Sequence, residues 1–391
     1  MVGSKNQIAI VIALLCVIAS SSRSSGQNSS VDTYVHPPLR VWGQTHTAAV
    51  GLTPAQIQKA YGFDRVANRG AGQIIGIVEA FDHARIEEDL AQFSSTFGLS
   101  ECTSANGCFR KVYASGKRPR LDHLWTLEIA LDVEWAHVIA PEARILLVEA
   151  PSDRLDDMLR AVDVAVQNGA TVVSMSWGAP EFANELSNDN HFLAPGVMFV
   201  AAAGNSGAGT LYPSASPNVV AVGGTTLSID SQGNYLSESA WSGSSGGQSK
   251  YETAPAYQIN FPIPNDPELR RGVPDVAYAA DFETGFAAYD SFPVFGFSGW
   301  FELGGTSAGA PQWAALIAIA NSSRLAKGKA QLTGDPTPLY DAAKEGTYHD
   351  ITRGSNGTCG SLCTATAGYD YVTGLGTPQA NRLIPALVNR P

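Results

Sequence analysis

Charge is scarce in this chain. Of its 391 residues only 16% are Asp, Glu, Lys or Arg, and the acids outnumber the bases 36 to 25. No cluster of Lys and Arg occurs, which excludes the basic footprint of a nucleic-acid-binding protein. Beyond residue 19 no apolar run approaches the ~20 residues that a membrane-spanning helix requires, so no membrane partner is expected. Cysteine is rare, at 5. The cysteines have no set of histidines beside them, as a structural zinc site would. Internal repeats and low-complexity linkers are missing too, and the length allows one large domain or two. A net charge of −11 spread this thinly suits work at low pH, where few charges means little self-repulsion on protonation.

What is present begins with an export pattern. Lys5 precedes an unbroken apolar run at residues 8–19, and residues 20–26 are small and polar. Residues 1–26 therefore read as a signal peptide, and the chain as secreted, extracellular or periplasmic. Cys16 leaves with the signal. Cys102, Cys108, Cys359 and Cys363 remain as two close pairs, and in an oxidising compartment the local bridges Cys102–Cys108 and Cys359–Cys363 are the simplest of three connectivities. Asn28, Asn321 and Asn356 stand in N-x-S/T sequons.

Residues 27–51, with the pair Pro37-Pro38, read as an extended arm. From Leu52 on, apolar β-branched runs at residues 73–79, 144–150, 171–176, 197–203 and 218–223 alternate with helical patterns at 85–97 and 153–168. That alternation predicts an α/β fold, a mostly parallel sheet with helices on both faces. Residues 225–304, richer in Gly, Ser, Pro and aromatics, predict hairpins and long loops, followed by a helix at 306–321.

Three segments carry candidate chemistry. Residues 124–141 form an apolar helix that stops at Pro141, yet Glu128 and Asp132 stack one turn apart on one face. No Lys or Arg lies within a turn of them, so at least one carboxyl should have a raised pKa and the pair should share a proton. The Gly304-Gly-Thr-Ser307 turn leads into a helix and exposes the Ser307 hydroxyl beside backbone N–H groups, although taken alone Ser307 could be a plain helix cap. Asn205 ends a buried strand between glycines, where its amide could donate to an oxyanion or merely form a turn. Among seven histidines none lies between glycines, and His123 and His137, which flank the carboxylate helix, read as satisfied polar residues.

Together with Ser174-x-Ser-Trp-Gly178, Tyr212-Pro-x-x-Ser-Pro217, Val222-Gly-Gly-Thr225 and Pro274-Asp275, these segments resemble the sedolisin family. Its members are serine-carboxyl peptidases with a subtilisin-like fold, and the likeness extends from Leu52 to Pro378. The resemblance implies a peptidase domain over 52–391, with Ser307 as nucleophile, Glu128 as base and Asp132 orienting Glu128. It also implies acid activity on peptide or protein substrates, by a chain expected to be a monomer. Glu79 and Trp177 fall where some members extend the carboxylate network. A calcium loop is implied as well, with the side chains of Asp350 and Asp370 and the carbonyls of Ile351, Thr366 and Gly368 as Ca2+ ligands. The chain departs from the family in having Asn205 where an Asp is usual, and in the short stretch between the signal and Leu52 where a large propeptide is usual. An endopeptidase is the expected activity; a tripeptidyl-type exopeptidase and a silent peptide-binding fold are the rivals.

Overall fold

The structure is a computed structural model that describes residues 32–390 apart from Asn265 and Phe295. The expected signal at 1–26 and the sequon at Asn28 lie outside the described residues.

The apolar runs become the strands of one 8-stranded sheet. In chain order they are β2 (Ile74–Ala80), β3 (Phe109–Tyr113), β4 (Arg144–Ala150), β5 (Val172–Met175), β6 (Met198–Ala202), β7 (Val219–Ile229), β8 (Tyr235–Ala240) and β9 (Val276–Ala279). β1 (Arg40–His46) lies outside this sheet. The spatial order is β8-β7-β6-β5-β2-β4-β3, with β9 on the far part of β7. All pairings are parallel except β8 with β7. Both faces of the central strands are buried, which explains why they read as continuous apolar runs rather than alternating ones. Met198, Val200 and Ala202 join the core on one side of the sheet, and Phe199 and Ala201 the core on the other.

The helices divide between those two cores. α1 (Ile86–Phe97), α2 (His123–Ile139) and α4 (Gly309–Ala326) pack on the first side, and α3 (Leu155–Gln167) on the second. α2 starts where the Asp122 carboxylate accepts from the Leu124 N–H at 3.2 Å, satisfying one of the free donors of the first turn. It has no polar face because the hairpin β10 (Phe286–Val294) and β11 (Phe297–Gly304) covers its outer side. Trp135 on α2 donates its indole N–H to the Ala287 carbonyl at 2.9 Å and sits 4.7 Å from the Phe286 ring. β1 extends that hairpin sheet, pairing antiparallel with β11 from Arg40 opposite Gly304. The described part of the arm is thus bound to the body.

Both expected disulfides are present, Cys102–Cys108 and Cys359–Cys363, with Cα separations of 4.9 and 5.3 Å. The two described sequons are closed. Asn321 is fully buried and accepts from the Leu332 N–H, while Asn356 is buried and donates to the Ser244 carbonyl. No helix of the described residues is long and apolar enough to cross a membrane.

Candidate active site

The carboxyl ends of parallel strands collect polar groups because the chain leaves the sheet there. Glu79 stands at the end of β2, Ser176 follows β5, and Gly204-Asn205 follows β6. α2 runs beside these ends and brings Glu128 and Asp132 to them. Ser307 arrives from the other direction. The expected helix at 306–321 begins instead as a tight turn, Thr306–Ala308, before α4 proper. The turn is tight because Gly305 has φ +117° and because the Thr306 N–H donates to Asn205 Oδ1 at 2.9 Å. A Cβ on Gly305 would run into the Pro38 carbonyl and the Asn205 amide, so the position requires glycine on space as well as on φ.

Asn205 therefore has a divided role. Its Oδ1 is held by the Thr306 N–H and hydroxyl, and this fixes its Nδ2 to point outward, where it donates to the Pro38 carbonyl oxygen. The same Pro38 oxygen accepts from Ser307 Oγ at 3.0 Å. A peptide carbonyl of the chain's own arm thus lies between a hydroxyl and an amide donor. Ser307 is fully buried beneath it, and Asn205 is 8% exposed.

The arm is held on both sides of this point. Upstream, the Val35 N–H donates to the Asp153 carbonyl and the Leu155 N–H to the Thr33 carbonyl, both at 2.8 Å, and His36 exchanges two backbone bonds with Gly178. Downstream, Arg40 enters the pairing with β11.

Three carboxyls line the floor, and all are fully buried. Burial, and then the charge of Asp132, push Glu128 well above the usual carboxylate range, while the Ser307 hydroxyl pulls the other way. Burial pushes Asp132 up to about 8 even though hydrogen bonds from Ser176 and Glu79 lower it. Glu79 is raised by burial and then by Asp132 and Glu128. Three such groups cannot all ionise side by side, so at least one of Glu79, Asp132 and Glu128 holds its proton well above the ordinary carboxyl range. Trp177 meets this network indirectly, its indole N–H donating to the Val78 carbonyl at 2.9 Å. His123 is exposed, and His137 places its ring on the Ser100 carbonyl at 2.8 Å.

Ser176 is a site residue that the sequence reading passes over. Its Oγ lies 2.7 Å from Asp132 Oδ2 and 3.3 Å from the Ser307 carbonyl, tying α2 to the serine turn. The signal was its place in Ser174-x-Ser-Trp-Gly178, at the end of a strand.

Asp350 and Asp370, two of the expected calcium ligands, both accept from backbone N–H groups of residues 366–368. Gly368 N–H donates to Asp350 Oδ2 at 3.0 Å and Thr366 N–H to Asp370 Oδ2 at 3.1 Å, so both carboxylates meet the segment that carries the Thr366 and Gly368 carbonyls. Ile351 is buried beside them in sequence. An all-oxygen set of carboxylates and carbonyls fits a hard cation.

The chain is similar to known peptidases in sequence and in fold. A family model described as the subtilase family matches residues 129–333, more than half of the chain. Kumamolisin of Bacillus sp. (strain MN-32) is 34% identical over 379 residues, covering 87% of this chain and 64% of the relative. Sedolisin of Pseudomonas sp. (strain 101) is 27% identical over 397 residues, covering 90% and 65%. The chain spans a little under two thirds of the length of these curated relatives. Among solved structures, Pseudomonas sedolisin, a serine-carboxyl proteinase complexed with two molecules of pseudo-iodotyrostatin, superposes with a TM-score of 0.73. Its identity is 26%, over 86% of this chain and 98% of that one. A lanthipeptide protease, at 14% identity and a TM-score of 0.54 over 85% of this chain and 92% of its own, shares the fold. With the subtilisin-like sheet, the buried carboxylate helix and these likenesses in agreement, the chain belongs to the subtilase family, in its sedolisin branch.

Proposed function

We propose that this chain is a secreted, acid-acting endopeptidase that works through an acyl-enzyme on Ser307. Ser307 Oγ attacks the carbonyl carbon of a peptide bond and passes its proton to Glu128. Asp132 orients Glu128, and the Asn205 amide donates to the oxyanion that forms. The C–N bond then breaks, Glu128 returns the proton to the leaving amine, and water releases the acyl group by the reverse sequence.

The observation that carries the reading is the Pro38 carbonyl, which accepts from both Ser307 Oγ and Asn205 Nδ2. This supports the reading that these two donors can hold the carbonyl oxygen of a bound peptide. The endopeptidase reading is supported by the arm's course: backbone bonds continue to Val35 and Thr33, beyond His36, where a tripeptide ending at Pro38 would begin. A site built to release tripeptides would close there. Acid action follows from the family resemblance alone, and secretion is supported by the two local disulfides.

Calcium belongs to the same proposal. Asp350 and Asp370 would hold it with the carbonyls of Ile351, Thr366 and Gly368, and the ion would supply charge that locks the two loops together.

The test is to incubate a denatured protein with the enzyme at several pH values and map the products by mass spectrometry. Internal cuts that require Ser307 are expected. Tripeptides released in order from the N-terminus would replace the endopeptidase with an exopeptidase, and uncut substrate at every pH would leave a peptide-binding fold.

A further inference from the structure

The arm passes the serine in one course, and its two sides are held differently. Upstream of Pro38 it makes single backbone bridges, Tyr34 with Arg154 and His36 with Gly178. Downstream it becomes a strand. Arg40, Val41 and Trp42 stand opposite Gly304, Leu303 and Glu302 of β11 in antiparallel register. The Pro38 carbonyl is the one between Ser307 Oγ and Asn205 Nδ2, so Leu39 is the first residue past the bond that faces the serine. Arg40 is then the second and Trp42 the fourth.

Side chains two apart on a strand share a face, and here Arg40 and Trp42 both meet the body of the protein. The Arg40 guanidinium donates to the Asn205 carbonyl at 3.3 Å. The Trp42 ring lies 5.5 Å from the Phe282 ring, and Phe282 in turn meets Trp241 edge-on at 6.2 Å. Phe282 opens the turn Phe282–Thr284 after β9, and Trp241 directly follows β8. The aromatic pair therefore belongs to the body and stays when the arm leaves. Trp241 is buried and Phe282 half-buried, so the pair offers Trp42 a ring face on a fixed support.

β11 has β10 on one side and β1 on the other, which makes β1 the edge strand of this small sheet. Without β1, the N–H and C=O groups along that side of β11 would lack partners, and such an edge is the template to which an extended peptide adds as a strand. An added peptide that places its own carbonyl at Ser307 has to run on along the same path. It displaces Arg40, Val41 and Trp42 together with Pro38. Main-chain bonds to an edge supply affinity whatever the sequence, and the side-chain sites along it supply the selection.

We propose that the downstream half of a substrate binds as an antiparallel strand on β11 in place of β1, with an aromatic fourth residue received by Phe282 over Trp241. The inference rests on the endopeptidase reading and adds the class of substrate: an extended, unfolded segment that runs at least to the fourth residue past the cut. The probes are the quenched fluorogenic peptide Val-His-Pro-Pro-Leu-Arg-Val-Trp, its counterpart ending in Ala, and Val-His-Pro-Pro joined to a chromogenic amine. In the wild type, kcat/KM for the Trp peptide should exceed that for the Ala peptide by ~3–10-fold, the yield of one aromatic contact. Phe282→Ala should bring this ratio to one. Should that variant fail to fold, N-methylated forms of the Trp peptide are compared on the wild type. Methylation at the second, third and fourth downstream residues should cost rate in alternation, because only alternate N–H groups of an antiparallel strand face the partner. Equal rates for the Trp and Ala peptides, a ratio kept in folded Phe282→Ala, or losses without alternation would overturn the strand site, while cleavage of the chromogenic amide still upholds the peptidase. If no probe is cut, the peptidase reading fails by itself. Fluorescence anisotropy of the labelled peptides then decides the strand site, tighter binding of the Trp form supporting it and equal binding overturning it.

Discussion

Ser307 Oγ and the Pro38 carbonyl oxygen are 3.0 Å apart, and the serine's hydroxyl proton is committed to that bond. A hydroxyl has one proton to give, so the arm that supplies the carbonyl competes with any added peptide. A variant lacking residues 33–39 should therefore cleave a fluorogenic peptide faster than the chain that keeps them, with the gain mainly in KM. Equal rates would mean that the arm leaves the cleft in solution. Incubation of the intact chain should also yield a new N-terminus at Leu39.

Ser307→Ala should reduce cleavage to background, and Glu128→Gln should lower kcat by ~10²–10⁴-fold, the usual contribution of a general base. Both variants change little in volume, so circular dichroism should report native folding. Full activity in either folded variant removes the proposed pair.

Asn205 donates from an amide, which needs no proton at any pH. Its loss in Asn205→Ala should cost ~2.7–4 kcal/mol of transition-state stabilisation. Asn205→Asp is the more telling change, because a carboxyl donates only while protonated. Its pH–rate profile should fall at lower pH than that of the wild type. Coincident alkaline limbs would mean that residue 205 does not bind the oxyanion.

Stability should decline as pH rises. Glu79, Glu128 and Asp132 have folded-state pKa values raised by burial, Asp132 to about 8. A raised value means that the unfolded chain releases the proton first. The stabilisation is therefore complete below the ordinary carboxyl range, declines as pH increases, and that of Asp132 is gone once pH passes about 8. Melting temperatures measured from pH 3 to pH 9 should fall across this window, and less steeply in Glu79→Gln, which removes one titrating group. A melting temperature that climbs over the same range contradicts the buried, proton-holding cluster.

Calcium removal should lower the melting temperature, since a ligand bound only by the native state stabilises it by mass action. Asp370→Asn should abolish the difference between EGTA and added Ca2+. Identical melting curves in both conditions would argue against the loop as a calcium site.

Glu128 and Asp132 are legible in sequence because four-residue spacing on a helix is a local fact, and because they share one apolar face with no cation within a turn. Ser307 and Asn205 are legible for the same kind of reason: each sits at a glycine-marked change from one element to the next. The strands of the sheet are legible because burial on both faces leaves long β-branched runs. What the sequence hides is assembled across distance. Nothing near Pro38 announces that its carbonyl reaches Ser307, since that depends on β1 pairing with β11. The closed state of Asn321 follows from the way α4 is sandwiched, which a sequon cannot report.

The parallel sheet has a consequence for when this chain becomes chemically competent. Glu79, Asp132, Ser176, Asn205 and Ser307 come from five successive stretches, each separated from the next by at least one strand or helix. During synthesis the carboxylates emerge first and the serine last, on a turn that needs Asn205 already in place to fix it. On the proposed mechanism, a nascent fragment ending before Thr306 would lack the nucleophile, and a fragment starting after α2 would lack the base. If the proposed roles hold, the chain would be inert toward its neighbours until the last central helix docks. The order of translation itself delays the first cut.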